Sequence, residues 1–585
     1  MLVRQIVAAL VVALVASSAA AQQPQRSYGE TLEIRVINID AVVTDRSGNP
    51  VTGLTRDDFE LFENGKRKEV SNFLEVNERA AAAAGTPPAQ TERRHLIVFV
   101  DNTSLQPFNR DRVLNAMKAF IEATMRTGVD GAFIGDEAIV ASWNPGLKEN
   151  LALTTDRARV LAALQSMIAT TGLGTMLRAE RERVQNELRQ MPGDYQSSTA
   201  IKSGGLAPAP EPEPGSTRPG SPSNIVRVDE KPPYDRALGA VRQYADSVML
   251  DTKQKADALK TLMLAFRGVQ GRKALILVTE SFSTQPARQM FEYLDSIKDQ
   301  FDRGNFQNPR AEIMRYNDDP LFQTVTSTAN AAGITLYAVS AGGVTSGSDF
   351  SDASDRGSTA QQQTVAGKAP GKFADQSLQE LAAATGGLAV TGSNDFARGF
   401  ERIASDLTMY YSLGYRADSP ANDMIRKVEV KVKKPGVVVR YRESFVQKAT
   451  PTEIGDTLAA NLFAGVQKND LGITISAGTA TPKNEGEITV PVTITVPIAA
   501  LTFVPDGKDV VGKFTIFAGF TRKDGSSSKI SKIEYPLRFL ADSMQDQRNL
   551  NVKINMTMQK TTENISVAVL DQTSNATGYA TVKLP

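Results

Sequence analysis

The apolar positions of the chain follow two different periods. From residue 31, Leu32, Ile34, Val36 and Ile39 alternate roughly with polar residues and Val42-Val43 extends the run, the two-residue period of a half-buried strand. Arg46-Ser47-Gly48-Asn49-Pro50 forms a turn. Phe59, Leu61 and Phe62 lead into Asn64-Gly65, a pair that favours the positive backbone angles of a tight hairpin, and Val70 and Phe73 resume a strand. The pattern predicts a small β domain over 31–78, closed by a linker rich in Ala, Pro and Thr at 80–91.

Over 94–415 strands alternate with helical periods. A wholly apolar run at 96–100 predicts a buried strand. Val113, Met117, Phe120 and Ile121 then share one face of a helix at 111–126. A strand at 138–143 precedes a helix carrying Val160, Leu161, Leu164 and Met167, with Thr155 as its expected cap. The loop at 172–175 opens a charged helix. Residues 192–233, rich in Pro, Ser and Gly and without an apolar period, read as a disordered insertion, and 342–371 reads as a low-complexity loop. Helix returns at 234–266, followed by strands at 274–278, 334–339, 388–390 and 409–415 with helices between them. Such alternation predicts an α/β fold, a parallel sheet with helices on both faces.

The remainder reads as strands. Residues 426–445 flank Lys434-Pro435-Gly436 as a closing β-hairpin. From 470 to 585, Ile488, Val490, Val492, Ile494 and Val496 alternate cleanly, as do Val552, Ile554, Met556 and Met558. A β-sandwich of about seven strands fits that length.

Composition changes the picture in three ways. The 585 residues are too many for one core, so several domains are expected. Lys plus Arg is 66 against 65 for Asp plus Glu, which leaves no basic footprint for nucleic acid. The absence of Cys excludes disulfides, thiolate zinc sites and cysteine nucleophiles. Arg4, an apolar stretch at 6–16 and Ala19-Ala20-Ala21-Gln22 read as a signal peptide over 1–21, cleaved after Ala21. The mature chain is therefore expected to have no transmembrane segment and to be secreted, periplasmic or held in the cell envelope.

Ligands of open α/β sheets bind beyond the carboxyl ends of the strands. Three segments are expected there: Asp101-Asn102-Thr103-Ser104-Leu105, Gly174-Thr175 and Thr279-Glu280-Ser281. Their carboxylates and hydroxyls suit a hard divalent cation. With these loops, 94–415 resembles a von Willebrand factor type A domain, a Rossmann-like fold whose metal-ion-dependent adhesion site uses D-x-S-x-S, a Thr and a further Asp. The resemblance implies Asp101 as the first carboxylate, Thr103 as a hydroxyl ligand, Thr175 as the Thr and Glu280 in place of the Asp. Leu105 stands at the second Ser and has no donor atom. The flanks, Val43-Thr44-Asp45 through Gly53-Leu54, Tyr410-Tyr411-Ser412-Leu413-Gly414-Tyr415 and Val439-Arg440-Tyr441-Arg442, resemble an exported group of VWFA-related domain proteins abundant in Acidobacteria.

Two readings follow. In one, the protein is an exported, adhesion-type binder whose degenerate site holds Mg2+ or Ca2+, with a partner's acidic side chain completing the shell. In the other, the cation is weak or absent and the chain is a metal-independent structural or scaffolding component of the envelope. No catalytic constellation is present. The single histidine, His95, falls before the strand and reads as a surface or linker residue, and Trp143 reads as core. A hydrolase in the last β region would have to work with a carboxylate pair.

Overall fold

The computed structural model describes residues 35–78, 93–127, 135–169, 174–203, 233–280, 282–298, 308–343, 371–465, 469–522, 528–540 and 548–584. The expected signal peptide, the linker and most of both low-complexity stretches lie outside the described residues. Helix continues to Ser203, past the expected start of the insertion at 192.

In chain order, the first strands are β1 (Val36–Asp45), β2 (Phe59–Glu63), β3 (Lys66–Lys68) and β4 (Asn72–Asn77). Next come β5 (Arg94–Asp101), α1 (Pro107–Thr124), β6 (Glu137–Trp143), β7 (Leu147–Thr154), α2 (Arg157–Ile168), α3 (Gly174–Ser203) and α4 (Pro233–Ala265). They are followed by β8 (Arg272–Thr279), α5 (Arg288–Ile297), α6 (Pro309–Arg315), α7 (Asp319–Ala332), β9 (Ile334–Ser340), α8 (Gly371–Ala384), β10 (Ala389–Val390) and α9 (Phe396–Thr408). Then come β11 (Met409–Arg416), β12 (Met424–Val432), β13 (Val437–Tyr441), β14 (Ser444–Gln447) and α10 (Thr450–Ala464).

The expected fold class, a Rossmann-like von Willebrand A domain flanked by a small N-terminal β domain and a C-terminal β-sandwich, is corrected by the sheet pairings. The chain is β-rich, with 39% strand against 36% helix, and among the described residues four of the five sheets are purely antiparallel. The strands at 36–77 do not form a domain of their own. β1 lies between β11 and β13, with Ala41 opposite both Tyr411 and Tyr441, and β2 pairs with β12. Two four-stranded sheets, β13-β1-β11-β4 and β14-β12-β2-β3, thereby share a core of Ile39, Ala41, Leu61, Tyr411, Leu413 and Val430. The expected closing hairpin at 426–445 differs in its pairing: β12 and β13, which flank Lys434-Pro435-Gly436, belong to different sheets, and β12 pairs antiparallel with β14 instead, Arg426 opposite Phe445. The Asn64-Gly65 turn forms as expected, with φ of 49° and 78°, joining β2 to β3.

The fifth sheet is mixed, in the order β10-β9-β8-β5-β6-β7, with β7 antiparallel at one edge and the two-residue β10 at the other. All eight residues of β5 are buried, since it lies between β6 and β8 and both faces are covered. One face packs Val113, Met117, Val160, Leu164, Phe400 and Ile403 of α1, α2 and α9. The other packs Leu259, Met263, Val325, Ala329 and Leu381 of α4, α7 and α8. Asp156, not Thr155, caps α2: its carboxylate accepts from the amides of Ala158 and Arg159. Beyond α10, two antiparallel sheets enclose one core that joins Val490, Val492 and Ile494 to Ile516, Val567 and Val569. Among the described residues, no helix is long and apolar enough to cross a membrane.

Candidate functional site

The last residue of β5, Asp101, gathers the most polar contacts at the carboxyl edge of the mixed sheet. It is 1% exposed. Its Oδ1 accepts from the Thr103 hydroxyl at 2.8 Å and from the amides of Thr103 and Ser104 at 3.2 and 3.3 Å. Its Oδ2 accepts from the Ser104 hydroxyl at 2.6 Å and from Thr279, the end of β8, at 2.8 Å. The polar ending of this strand is thus an internal cap: a buried carboxylate is satisfied by the turn that follows it.

One further group completes the cluster. Lys255 of α4, also 1% exposed along its side chain, places its ammonium 2.8 Å from Asp101 Oδ2 and 2.5 Å from Asp251 Oδ2. Asp251 in turn accepts from the Trp143 indole at 3.2 Å, and the Thr103 hydroxyl lies 3.5 Å away. Burial by itself pulls the lysine pKa down. The charges and hydrogen bonds of Asp101 and Asp251 outweigh it, so the amine is held above its ordinary value and stays protonated.

Of the four residues expected to hold a metal, the fold brings Asp101 and Thr103 together and directs the other two elsewhere. Glu280 turns its carboxylate to the start of α1, accepting from the Gln106 amide at 2.9 Å and its side-chain amide at 3.3 Å. Burial raises the Glu280 pKa against these hydrogen bonds, and the nearby Asp101 charge adds to the rise. Thr175 is an exposed residue in the first turn of α3. Leu105 is fully buried in the core beneath α1. A divalent cation does not fit this arrangement, because the Lys255 ammonium already stands where a cation would meet Asp101. Among the described residues, no three His, Cys, Asp or Glu side chains converge as ligands.

Two other sequence expectations change. His95 is a buried residue of β5, with Nδ1 3.1 Å from Glu137 Oε2 and Nε2 2.9 Å from the Gln270 carbonyl, at the opposite edge of the sheet. Trp143 is core, yet its indole N–H belongs to the Asp251 contact.

The start of α3 is pinned onto the site loop at Gly174, where a Cβ would fall 2.3 Å from the Leu105 carbonyl oxygen. The variant Gly174→Ala is therefore expected to lift α3 off the loop. Hydrogen exchange should show faster exchange of the 102–106 amides with the C-terminal β sheets unchanged; equal protection would remove this packing role.

No protein-family model matches the chain, and no curated protein does either. Two structures of proximal thread matrix protein 1 from the mussel byssus show a partial likeness to it. The first has 12% identity and a TM-score of 0.21, over 54% of this chain and 48% of that one. The second has 9% identity and a TM-score of 0.22, over 59% and 51%. R. palustris CsgH has 13% identity and a TM-score of 0.11 over 19% of this chain and 91% of that one. The chain spans about half the length of the byssus protein, and likenesses this low carry no functional argument.

Proposed function

We propose that this is an exported, non-enzymatic protein-binding protein whose contact face is the loop edge at the carboxyl ends of β5, β6 and β8, organised without a metal. The observation that carries the reading is the Lys255 ammonium on Asp101. It neutralises the carboxylate from inside, so the loop needs no external cation to hold its shape. Export rests on the N-terminal pattern and on the sequence resemblance of 31–445 to exported proteins.

The rim of this edge suits a protein partner. Phe108 and Met176, in the first turns of α1 and α3, are 72% and 71% exposed, unusual for large apolar side chains. Arg178 donates to the Gln106 side chain and to Glu182, each at 2.6 Å, and its side chain remains 57% exposed beside them. Exposed apolar anchors next to an arginine make the composition typical of interface centres. An acidic side chain of the partner would meet Arg178 here.

The test is capture from envelope extract by the full chain, with and without chelator, alongside Phe108→Asp. Capture that is indifferent to chelator and lost in Phe108→Asp supports the reading. Capture abolished by chelator, or unchanged by the substitution, rejects it.

A further inference from the structure

Beyond α10 the strands are β15 (Thr474–Ala477), β16 (Thr481–Pro482), β17 (Glu487–Pro497), β18 (Val504–Asp506), β19 (Asp509–Arg522), β20 (Ser531–Leu540), β21 (Asn549–Gln559), β22 (Thr562–Asp571) and β23 (Thr577–Lys583). An open sheet ends in edge strands, whose unpaired backbone groups invite another strand. Most edges in this chain are short or broken. β3, β10, β14, β15, β16 and β18 hold four residues or fewer, and β7 slips its register twice against β6. The two longest among the described residues are β20, of 10 residues, and β21, of 11. β20 is guarded: Pro536 interrupts it, and Lys532, Glu534 and Arg538 charge it. β21 is not. It has no proline and no bulge against β17, and Lys553 is its one charged residue. Among the described residues, β17 is its only strand partner.

The register shows which backbone groups are open. β21 pairs with β17 over its whole length, Asn549 opposite Pro497 and Gln559 opposite Glu487. Just outside its ends, the Arg548 carbonyl accepts from the Ile498 amide at 3.1 Å, and the Lys560 amide donates to the Gly486 carbonyl at 3.1 Å. Backbone groups alternate sides along a strand, so even-numbered residues turn theirs to β17 and odd-numbered ones to the open edge. The prolines of β17 agree. Pro491 and Pro497 lie opposite Asn555 and Asn549 and have no N–H to give. The Pro491 carbonyl accepts from Gly478, past the end of β15, at 2.7 Å, so it too faces away from β21. The open groups thus belong to Asn549, Asn551, Lys553, Asn555, Thr557 and Gln559, whose side chains are polar and exposed. Leu550, Val552, Ile554, Met556 and Met558 point the other way, to the core between the two C-terminal sheets, and Leu550, Ile554 and Met556 are only half-buried there.

We propose that two copies of the chain join along this edge, β21 to β21, about a two-fold axis that passes through Ile554 normal to the sheet. The strand is complementary to itself in that register. Odd residues meet odd ones, Asn549 with Gln559, Asn551 with Thr557 and Lys553 with Asn555, so the open N–H and C=O groups of each copy satisfy those of the other. Even residues meet even ones on the core face, Leu550 with Met558, Val552 with Met556 and Ile554 with its own copy, so the half-buried side chains gain apolar neighbours. No like charges stand directly opposite each other. The result is one continuous antiparallel sheet across both copies. At the far edge of that sheet stand only β15 and β16, of four and two residues, which offer no comparable strand to a third copy. Assembly therefore closes at two.

Sedimentation of the full chain over a range of concentrations tests this. The expected result is a reversible dimer with a Kd of about 10 µM or tighter. Asn551→Pro removes an N–H that faces the open edge, where proline is tolerated by the fold, and deletes that donor from both halves of the interface; the variant should be monomeric. Residue 555 gives a second test that leaves the backbone alone. Asn555→Lys sets a lysine opposite Lys553 of the other copy, twice by symmetry, and should weaken the dimer about fivefold. Asn555→Glu sets an opposite charge there and should tighten it about fivefold. If Asn551→Pro loses its circular dichroism spectrum, the two variants at 555 carry the comparison. A parent that stays monomeric at every concentration overturns the proposal. So does a dimer that the folded variants leave equally tight, because its interface then lies elsewhere. Phe108 and Arg178 lie in the mixed-sheet region, so partner capture at the rim is read independently.

Discussion

Lys255→Met should be among the most damaging single substitutions in the chain, lowering the stability of the mixed-sheet region by about 3–5 kcal/mol. Methionine keeps the apolar stem of lysine and removes the terminal ammonium. What remains is Asp101, 1% exposed, and Asp251, facing each other across the vacated position with no cation between them. An uncompensated buried charge costs far more than its ion pair contributes. Adding Asp101→Asn to Lys255→Met should therefore recover part of the loss, although Asp101→Asn alone is destabilising. The single tryptophan makes the measurement local. Trp143 donates to Asp251, so its fluorescence in a urea titration reports this cluster. Millimolar Mg2+ should restore some stability to Lys255→Met, since a cation can then approach Asp101, and leave the parent curve unmoved. A parent stabilised by Mg2+, or a Lys255→Met variant that unfolds with the parent, would sink the idea that the ammonium serves as the site's cation.

How far this site was legible in the sequence is shown by Lys255 itself. On α4 the inward stripe runs through Val248, Thr252, Lys255, Leu259 and Met263, all buried. A lysine in that register is the signal, but it acquires meaning only once Asp101 is known to end a strand beneath it. The Asp101 turn was readable because five apolar residues stopping in Asp, Asn, Thr and Ser have few structural interpretations. The resemblance implies Glu280 and Thr175 from their place along the chain, and that place does not say which way a side chain turns. Glu280 found the unsatisfied amides at the start of α1, and Thr175 the solvent. The fold class failed for a related reason. Alternation identifies strands, and it located β1, β2, β11 and β12 well, but nothing local shows that Val36 pairs with Arg416. Such long-range pairing turned two apparent modules into one antiparallel unit and made β-structure the larger share. His95 is buried because the strand begins at Arg94, two residues before the apolar run.

Acid should expose a second buried cluster, and here two carboxyl groups respond with opposite sign. Asp136 is fully buried between Arg94, at 2.6 and 3.1 Å, and Arg126, at 2.7 and 3.0 Å from its side chain and 2.8 Å from its amide. Glu78 sits on the far side of both arginines, at 3.4 and 3.0 Å, tying the end of the first antiparallel unit to β5 and α1. Burial pushes the Asp136 pKa up, but the hydrogen bonds and charges of the two arginines prevail and hold it below the ordinary carboxylate value. A depressed folded pKa contributes stability that is complete above the unfolded value of about 4 and drains away as pH falls through the folded one. Asp136→Asn removes that contribution and leaves two buried guanidinium groups sharing one acid, an expected loss of about 3–5 kcal/mol at neutral pH. The gap to the parent should close as acid protonates Asp136 in the parent too. Glu280 runs the other way. Its folded pKa is raised, so ionisation opposes folding above that pKa and the penalty disappears as pH falls toward the unfolded value. Glu280→Gln, which keeps the carbonyl that accepts from the Gln106 amide, should be more stable than the parent at mildly alkaline pH and equal to it in acid. Thermal melts of the three proteins from mildly alkaline pH down through the acid limb check both signs at once. Parallel curves for Asp136→Asn and the parent would show that the two arginines do not depend on this carboxylate, and a Glu280→Gln variant less stable at alkaline pH would show that its charge holds α1 in place.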